Sequence, residues 1–192
     1  GVVLRREIDE KLGVTSALNA SVADPRDPSR VTHSQSELLR SWLYAMVSER
    51  TTAIAVSERI DDSALRVASS DRRGVSMLDG DDGRLASQPT RSRLLANLAR
   101  EGNLAAVQAA VFGSAARAIR AMNDGDRLDE CTLDIDSFPH EVHGHQESSE
   151  FNAHYGMRCF HPLGVMVGET GHWLDLTLRE GNVHTAEGAE YI

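Results

Sequence analysis

The sequence predicts an α+β protein, helical to about residue 126 and built of strands from there almost to its end. Three observations carry that prediction. Apolar residues recur at helical spacing as far as Met122, they alternate with period two from about residue 129, and the change falls on the turn-forming run Asn123-Asp124-Gly125-Asp126. Residues 1–126 are therefore expected as one helical region and 127–192 as a second region.

The elements follow in order. Leu4, Ile8 and Leu12 repeat at i, i+4 ahead of Gly13, a natural helix stop. Asp24-Pro25-Arg26-Asp27-Pro28-Ser29 reads as a connector, because each proline biases its predecessor away from helix. Ser34-Gln-Ser-Glu37 has capping-box spacing and opens a stripe of Leu38, Leu39, Trp42, Leu43, Met46 and Val47. Residues 51–69 carry a weaker helical pattern, and 70–84 are rich in Asp, Gly and Ser, as a loop would be. Ser87 is expected to cap a helix with Pro89 in its first turn and Leu94, Leu95 and Leu98 inside. Asn103 is expected to cap the next helix, through Val107, Val111, Ile119 and Met122. Strands are expected near 129–138, 158–168 and 172–180, the last two joined at Glu169-Thr170-Gly171. A helix is expected to begin at 183.

Composition limits the class. The chain has 192 residues, 41% hydrophobic and 26% charged, ordinary for a globular protein of one or two domains. No apolar run approaches the roughly 20 residues of a membrane span, and nothing resembles a signal peptide, so no membrane partner and a cytoplasmic location are expected. Cys131 and Cys159 are expected as buried thiols. A net charge of −9 argues against non-specific coating of nucleic acid, leaving that question to local patches. The chain starts at Gly1 rather than methionine and stops at Ile192 inside the expected helix, as a fragment would.

The chemistry concentrates in Leu133-Asp-Ile-Asp-Ser137. Period-two alternation sends Asp134 and Asp136 to one face and the aliphatics to the other. Paired carboxylates of this kind suit a hard divalent cation such as Mg²⁺ or Mn²⁺, which takes carboxylate oxygen and bridges phosphate oxygens. Solvated acids on an exposed strand are the plainer explanation. His140, His143 and His145 offer three imidazoles, and a zinc-dependent hydrolase is the alternative they support, although their spacing fits no zinc signature. Trp42 and Trp173 read as core anchors, and Arg179 as a surface partner of Glu169 or Glu180.

Several segments taken together resemble bacterial insertion-sequence transposases of the DDE type. They are Leu85-Ala-Ser-Gln-Pro-Thr90 with Ser92-Arg93-Leu94, Leu133-Asp-Ile-Asp-Ser137, His143-Gly144, Asn152-Ala-His-Tyr-Gly156, His161-Pro-Leu163 and Leu178-Arg-Glu-Gly-Asn-Val-His184, with Asp24 to Pro28 and Arg30 to His33 nearer the start. The resemblance covers nearly the whole chain. It implies a helical region for DNA binding and dimerisation, then the first three strands, mostly antiparallel, and first helix of an RNase H-like domain, truncated.

The implied activity is metal-dependent cleavage of transposon ends and their joining to target DNA, using two Asp and one Glu. Asp136, before Ser137, is the implied first acid, with Asp134 the alternative, and it is expected on a central strand. The second Asp and the Glu lie well downstream in the family, so this chain is expected to be catalytically incomplete, and a non-catalytic DNA-binding relic remains an alternative. Ser87, Gln88, Thr90, Arg91 and Arg93 are expected at a recognition-helix start. His143, His145, Asn152, His154 and Tyr155 are expected to line DNA or to order the loop beside the acid strand. The family's aromatic and acidic segment is replaced here by Ser48-Glu49-Arg50-Thr51. Synapsis of two ends implies a homodimer.

Overall fold

The computed structural model describes residues 1–48, 61–72, 77–78 and 83–191. The chain forms two compact units, Gly1–Ala110 and Val111–Ile192. The division falls inside a long helix, upstream of the turn at 123–126 where the sequence changes period. Of the segment Ser48 to Thr51 only Ser48 is described, and most of the weak helical pattern before residue 61 lies outside the described residues.

The first unit is helical. Its elements are α1 (Val2–Leu12), α2 (Val14–Ser21), α3 (Gln35–Met46), α4 (Ser63–Ser69), α5 (Gln88–Leu98) and the start of α6 (Glu101–Met122). Gly13, at φ 66°, ends α1 and begins α2 in one residue, a left-handed conformation that favours glycine. The Leu4 and Ile8 stripe does not face inward: both are about half exposed, and the buried residue of α1 is Asp9.

Asp9 is held by donors from two other helices. Its Oδ1 accepts from Thr15 N–H at 2.7 Å, and its Oδ2 accepts from Thr15 Oγ1 at 2.5 Å and from Tyr44 OH at 2.7 Å. Arg40 Nε stands 3.8 Å from Oδ2, and the same guanidinium pairs with Asp71. Glu37, also buried, accepts an ion pair from Arg72 at 3.1 Å and lies 2.9 Å from His33 Nδ1, while Ser34 caps its N–H at 3.0 Å. Only half of the expected capping box forms, because the Glu37 carboxylate is taken by Arg72 and His33.

Asn103 lies inside α6 and does not cap it. Its amide, with that of Asn97, clamps the connector: Asn103 Oδ1 accepts from Ala23 N–H at 2.9 Å, and Asn97 Nδ2 donates to Ala23 O at 2.8 Å. Gln35 Nε2 adds a bond to Val22 O at 3.0 Å. Around these bonds pack Leu18, Leu38, Leu39, Ala86, Leu94 and Ala110, and beside them a second group of Tyr44, Leu65, Ala68 and Leu85. The proline-rich connector is ordered by an Arg26–Asp24 pair at 2.6 Å and by Asp27 capping a 3-10 turn over Pro28–Arg30.

The second unit carries two three-stranded antiparallel sheets. One has the order β1-β5-β6 (Leu133–Ser137, Leu163–Val167, His172–Thr177), the other β2-β4-β3 (His140–Glu141, Met157–Phe160, Glu150–Asn152). The strand expected over 158–168 is thus two strands in different sheets. They part at His161-Pro162, where proline has no N–H to give a ladder and His161 N–H turns aside to Arg179 O at 3.1 Å. The hairpin at Glu169-Thr170-Gly171 forms as expected, with Gly171 at φ 67°.

Beyond β6 the chain returns to the second sheet through a bridge between Phe160 and Glu180. Gly181 is required there: a Cβ would stand 2.1 Å from Cys159 O and 2.4 Å from Glu150 O. The expected final helix is a single 3-10 turn over Ala189–Tyr191. Arg179 pairs with neither Glu169 nor Glu180. It donates instead to the carbonyls of His161 at 2.8 Å, His184, Thr185 and Glu187, holding that last loop in place. Cys159 is buried, but Cys131 is exposed, and both are free thiols.

Two outcomes test the helical unit. Replacing Asp9 with Ala strands the Thr15 and Tyr44 hydroxyls away from water, and we expect a loss of about 3 kcal/mol in urea unfolding; a loss below about 1 kcal/mol would remove Asp9 from the centre of the network. Burial, and then the bond to Asp9, push the Tyr44 phenol well above its ordinary value of 10.0. A raised pKa contributes stability that is complete below the unfolded value and lost as pH rises above it. Stability measured from pH 10 upward should therefore fall more steeply in the wild type than in Tyr44→Phe.

Candidate functional site

The acid strand β1 forms as its alternation demands. Cα pairing sets Asp134 against Met166 and Asp136 against Gly164, with Ile135 against Val165 between them. Cross-strand partners share a face. Leu133, Ile135 and Ser137 therefore lie with the buried Val167, Val165 and Leu163, and both carboxylates lie on the opposite face, exposed. Ser137 N–H donates to Asp136 Oδ1 at 2.8 Å, fixing one oxygen of that carboxylate.

The strand's position differs from expectation. β1 is hydrogen-bonded only to β5, so among the described residues it is an edge strand and not a central one. Leu133 and Ile135 are 49% and 40% exposed, so the aliphatic face of β1 is only partly covered.

The acid face has a second feature, absent from the sequence reading. A Cβ on Gly164 would lie 2.2 Å from the Trp173 ring, so the indole lies over the glycine that faces Asp136. Phe138 meets the same indole edge to face, with ring centroids 6.2 Å apart. Trp173 is 45% exposed and is not a core anchor. The signal in the sequence was Gly164 itself, a residue without a side chain in the middle of an apolar strand.

The histidine segment does not gather into a metal site. His140 sits on β2 and His143 and His145 on the loop after it, all exposed, and among the described residues no three His, Cys, Asp or Glu side chains converge to hold a metal ion. The zinc alternative loses its geometric basis. Further along, Asn152 is buried and serves the backbone: its Nδ2 donates to Gly181 O at 2.7 Å and its Oδ1 accepts from the N–H groups of His154 at 2.9 Å and Tyr155 at 3.2 Å. Of the two roles expected for it, the structure shows the loop-ordering one: it ties the turn after β3 to Gly181. His154 is exposed, and Tyr155 is half-buried with its ring edge-on to both His154 and His161. These residues border a cleft of about 480 Å³ between segments 151–155 and 182–185.

In the helical unit, the start of α5 presents Ser87, Gln88 and Arg93 to solvent, with Thr90 half-buried. Gln88 Nε2 donates to Ser92 Oγ at 3.0 Å, and Ser87 Oγ lies 3.2 Å from Thr90 Oγ1. Arg91 departs from expectation: it is fully buried, on the same side as Leu94, and burial lowers the pKa of its guanidinium. Helical geometry is the reason, since position 91 lies one turn before Leu94 and Leu95 and shares their inward face.

No described helix is long and apolar enough to cross a membrane. The family model described as transposase DDE domain group 1 matches residues 1–192, the full length of the sequence. No curated protein and no solved structure shows significant similarity. The chain belongs to the DDE transposase family, whose members act on DNA in transposition and generally use divalent metal ions.

Proposed function

We propose that this chain, as a member of that family, contributes the first acid of a metal-dependent site that cleaves transposon ends and joins them to target DNA in the cytoplasm. Asp136 is the proposed ligand and Asp134 the alternative. The observation that carries this reading is the pair of exposed carboxylates on one face of β1, one of them oriented by the Ser137 N–H.

The residues present fit the group in part. Two carboxylates supply the oxygen donors that Mg²⁺ or Mn²⁺ takes, but no third His, Cys, Asp or Glu joins them among the described residues. We therefore propose that the second Asp and the Glu of the family's set come from elsewhere, and that residues 1–192 alone are inactive. A bound pair of cations would supply charge neutralisation and an activated nucleophilic oxygen. This chain's own part is to hold Asp136 at a fixed point of a strand, since small misplacements lose the in-line geometry.

For DNA contact we propose Ser87, Gln88, Thr90 and Arg93 on α5, and His143, His145, His154 and Tyr155 in the second unit. The exposure of most of these side chains supports the assignment. A homodimer is proposed because two transposon ends must be brought together.

In a reading frame that supplies all three acids, Asp136→Ala is expected to reduce end cleavage by more than about 100-fold, beyond the usual cost of a residue that only supports a ligand. End binding should stay within about twofold. Undiminished cleavage in that variant would refute the assignment, and loss confined to Asp134→Ala would transfer it. A frame that encodes no further acids, with end binding intact, would favour the DNA-binding relic. For α5, Arg93→Ala should weaken DNA binding and lower the slope of log K against log salt by about 1; an unchanged slope removes Arg93 from the phosphate contacts.

A further inference from the structure

The acid face of the first sheet carries three features that strand stability does not call for, and all three meet at Trp173. Gly164 places a residue without a side chain in the middle of β5, which weakens a strand. β6 is bulged: Met166 pairs with Trp173 and Val165 with Asp175, so Leu174 is the extra residue, directly after the tryptophan. A bulge of this kind bends its strand and re-aims a neighbouring side chain. Trp173 itself is 45% exposed, although burial of so large a ring would stabilise the fold.

Together these features lay the indole beside Asp136. Asp136 and Gly164 are cross-strand partners on one face, so a Cβ on Gly164 would stand roughly 4.5–5.5 Å from that of Asp136. Cζ3, Cη2 and Cε3 of Trp173 lie 2.2, 3.0 and 3.3 Å from that Cβ position, which only glycine leaves open. The indole thus takes the place that a side chain at position 164 would fill next to the acid. Phe138 adds a second ring. Its N–H continues the strand pairing by donating to Pro162 O at 3.3 Å, so alternation returns it to the face of Asp136, and its ring meets the indole edge to face.

We infer that Trp173 is a positioning residue for Asp136: braced by Phe138, its ring walls one side of the carboxylate and confines it to the orientation in which Oδ1 accepts from Ser137 N–H. A carboxylate on an open strand surface turns among staggered rotamers on the picosecond to nanosecond scale. Confinement removes that freedom before a ligand arrives, which is the advantage of a site whose side chains are locked by packing. The exposure of the indole has the same cause. Buried in the core, it could not border an acid that faces solvent. The inference rests on the proposed role of Asp136 and names the residues that hold its carboxylate in place.

Side-chain couplings of the full chain, read by NMR without any added cation, test the confinement. Wild type and Trp173→Phe, which keeps a ring, are expected to show a single χ1 state at Asp136 and a downfield Ser137 amide proton. Trp173→Ala should average the couplings and move that proton upfield, and Phe138→Ala, at the exposed end of the strand, should do so in part. Gly164→Ala, whose methyl displaces the indole, should match Trp173→Ala and add nothing to it in the double variant, where the methyl has room. A single χ1 state that survives Trp173→Ala, or averaged couplings already in the wild type, would overturn the inference. In the reading frame that supplies all three acids, Trp173→Ala should slow cleavage of bound ends by about tenfold with end binding within about twofold, and Trp173→Phe should restore most of the rate. Weaker end binding with cleavage of bound ends unchanged would make the indole a DNA contact and overturn the positioning role. Cleavage abolished by Asp136→Ala but untouched by Trp173→Ala would sink the positioning role alone. Confinement lost in Trp173→Ala, with full cleavage in Asp136→Ala, would keep the aromatic wall and sink the metal-ligand reading.

Discussion

A carboxylate taken out of water must be met by donors or it destabilises the fold, and Asp9 is where this chain meets that demand. Its two oxygens draw Thr15 from the start of α2 and Tyr44 from the end of α3 onto α1. Arg40 extends the network to Asp71, and Glu37 repeats the pattern with Arg72 and His33. The helices of the first unit are consequently oriented by polar bonds at their contacts, while the leucines beside them fill space. Directionality is the difference. Leucine packing tolerates rotation of a helix about its axis, whereas a carboxylate with three donors does not.

The second unit obeys the same demand through amide and guanidinium groups. Asn152 satisfies two N–H groups of the turn after β3 and the carbonyl of Gly181. Arg179 gathers the carbonyls of the loop before the last 3-10 turn. Those two side chains hold opposite walls of the cleft, so its shape is set by residues that offer little to a ligand themselves. The acid strand lies in the other sheet, and there the constraint is alternation: the face carrying Val165 and Leu163 is buried, which leaves the opposite face to Asp134 and Asp136.

Much of this was legible in the residues. The hairpin at Glu169-Thr170-Gly171, the stop at Gly13 and the shared face of the two acids all follow from local rules of turn chemistry and period. The misreadings have a common cause. Leu4 and Ile8 looked like a core stripe, Asn103 like a cap, Arg91 like a phosphate ligand and Arg179 like a surface ion-pair partner. The sequence shows what a side chain is able to do but not which group will claim it or which face of its helix the packing will bury. Asn103 is claimed by Ala23, eighty positions away, and Arg179 by carbonyls of a loop that has no pattern of its own.

By itself the sequence determined the α+β class, the switch from helix to strand near residue 126 and the facing of Asp134 and Asp136, because period and turn residues act over a few positions. The resemblance of its motifs to the transposase family was legible there too. Only the tertiary structure decided that β1 is an edge strand among the described residues, that Trp173 lies over Gly164 beside Asp136, and that His161 is buried against Val183 O at the edge of a cleft. Each of these depends on strand pairing or on a hydrogen bond between remote segments, and such partners are chosen by the whole packed chain rather than by neighbours in sequence.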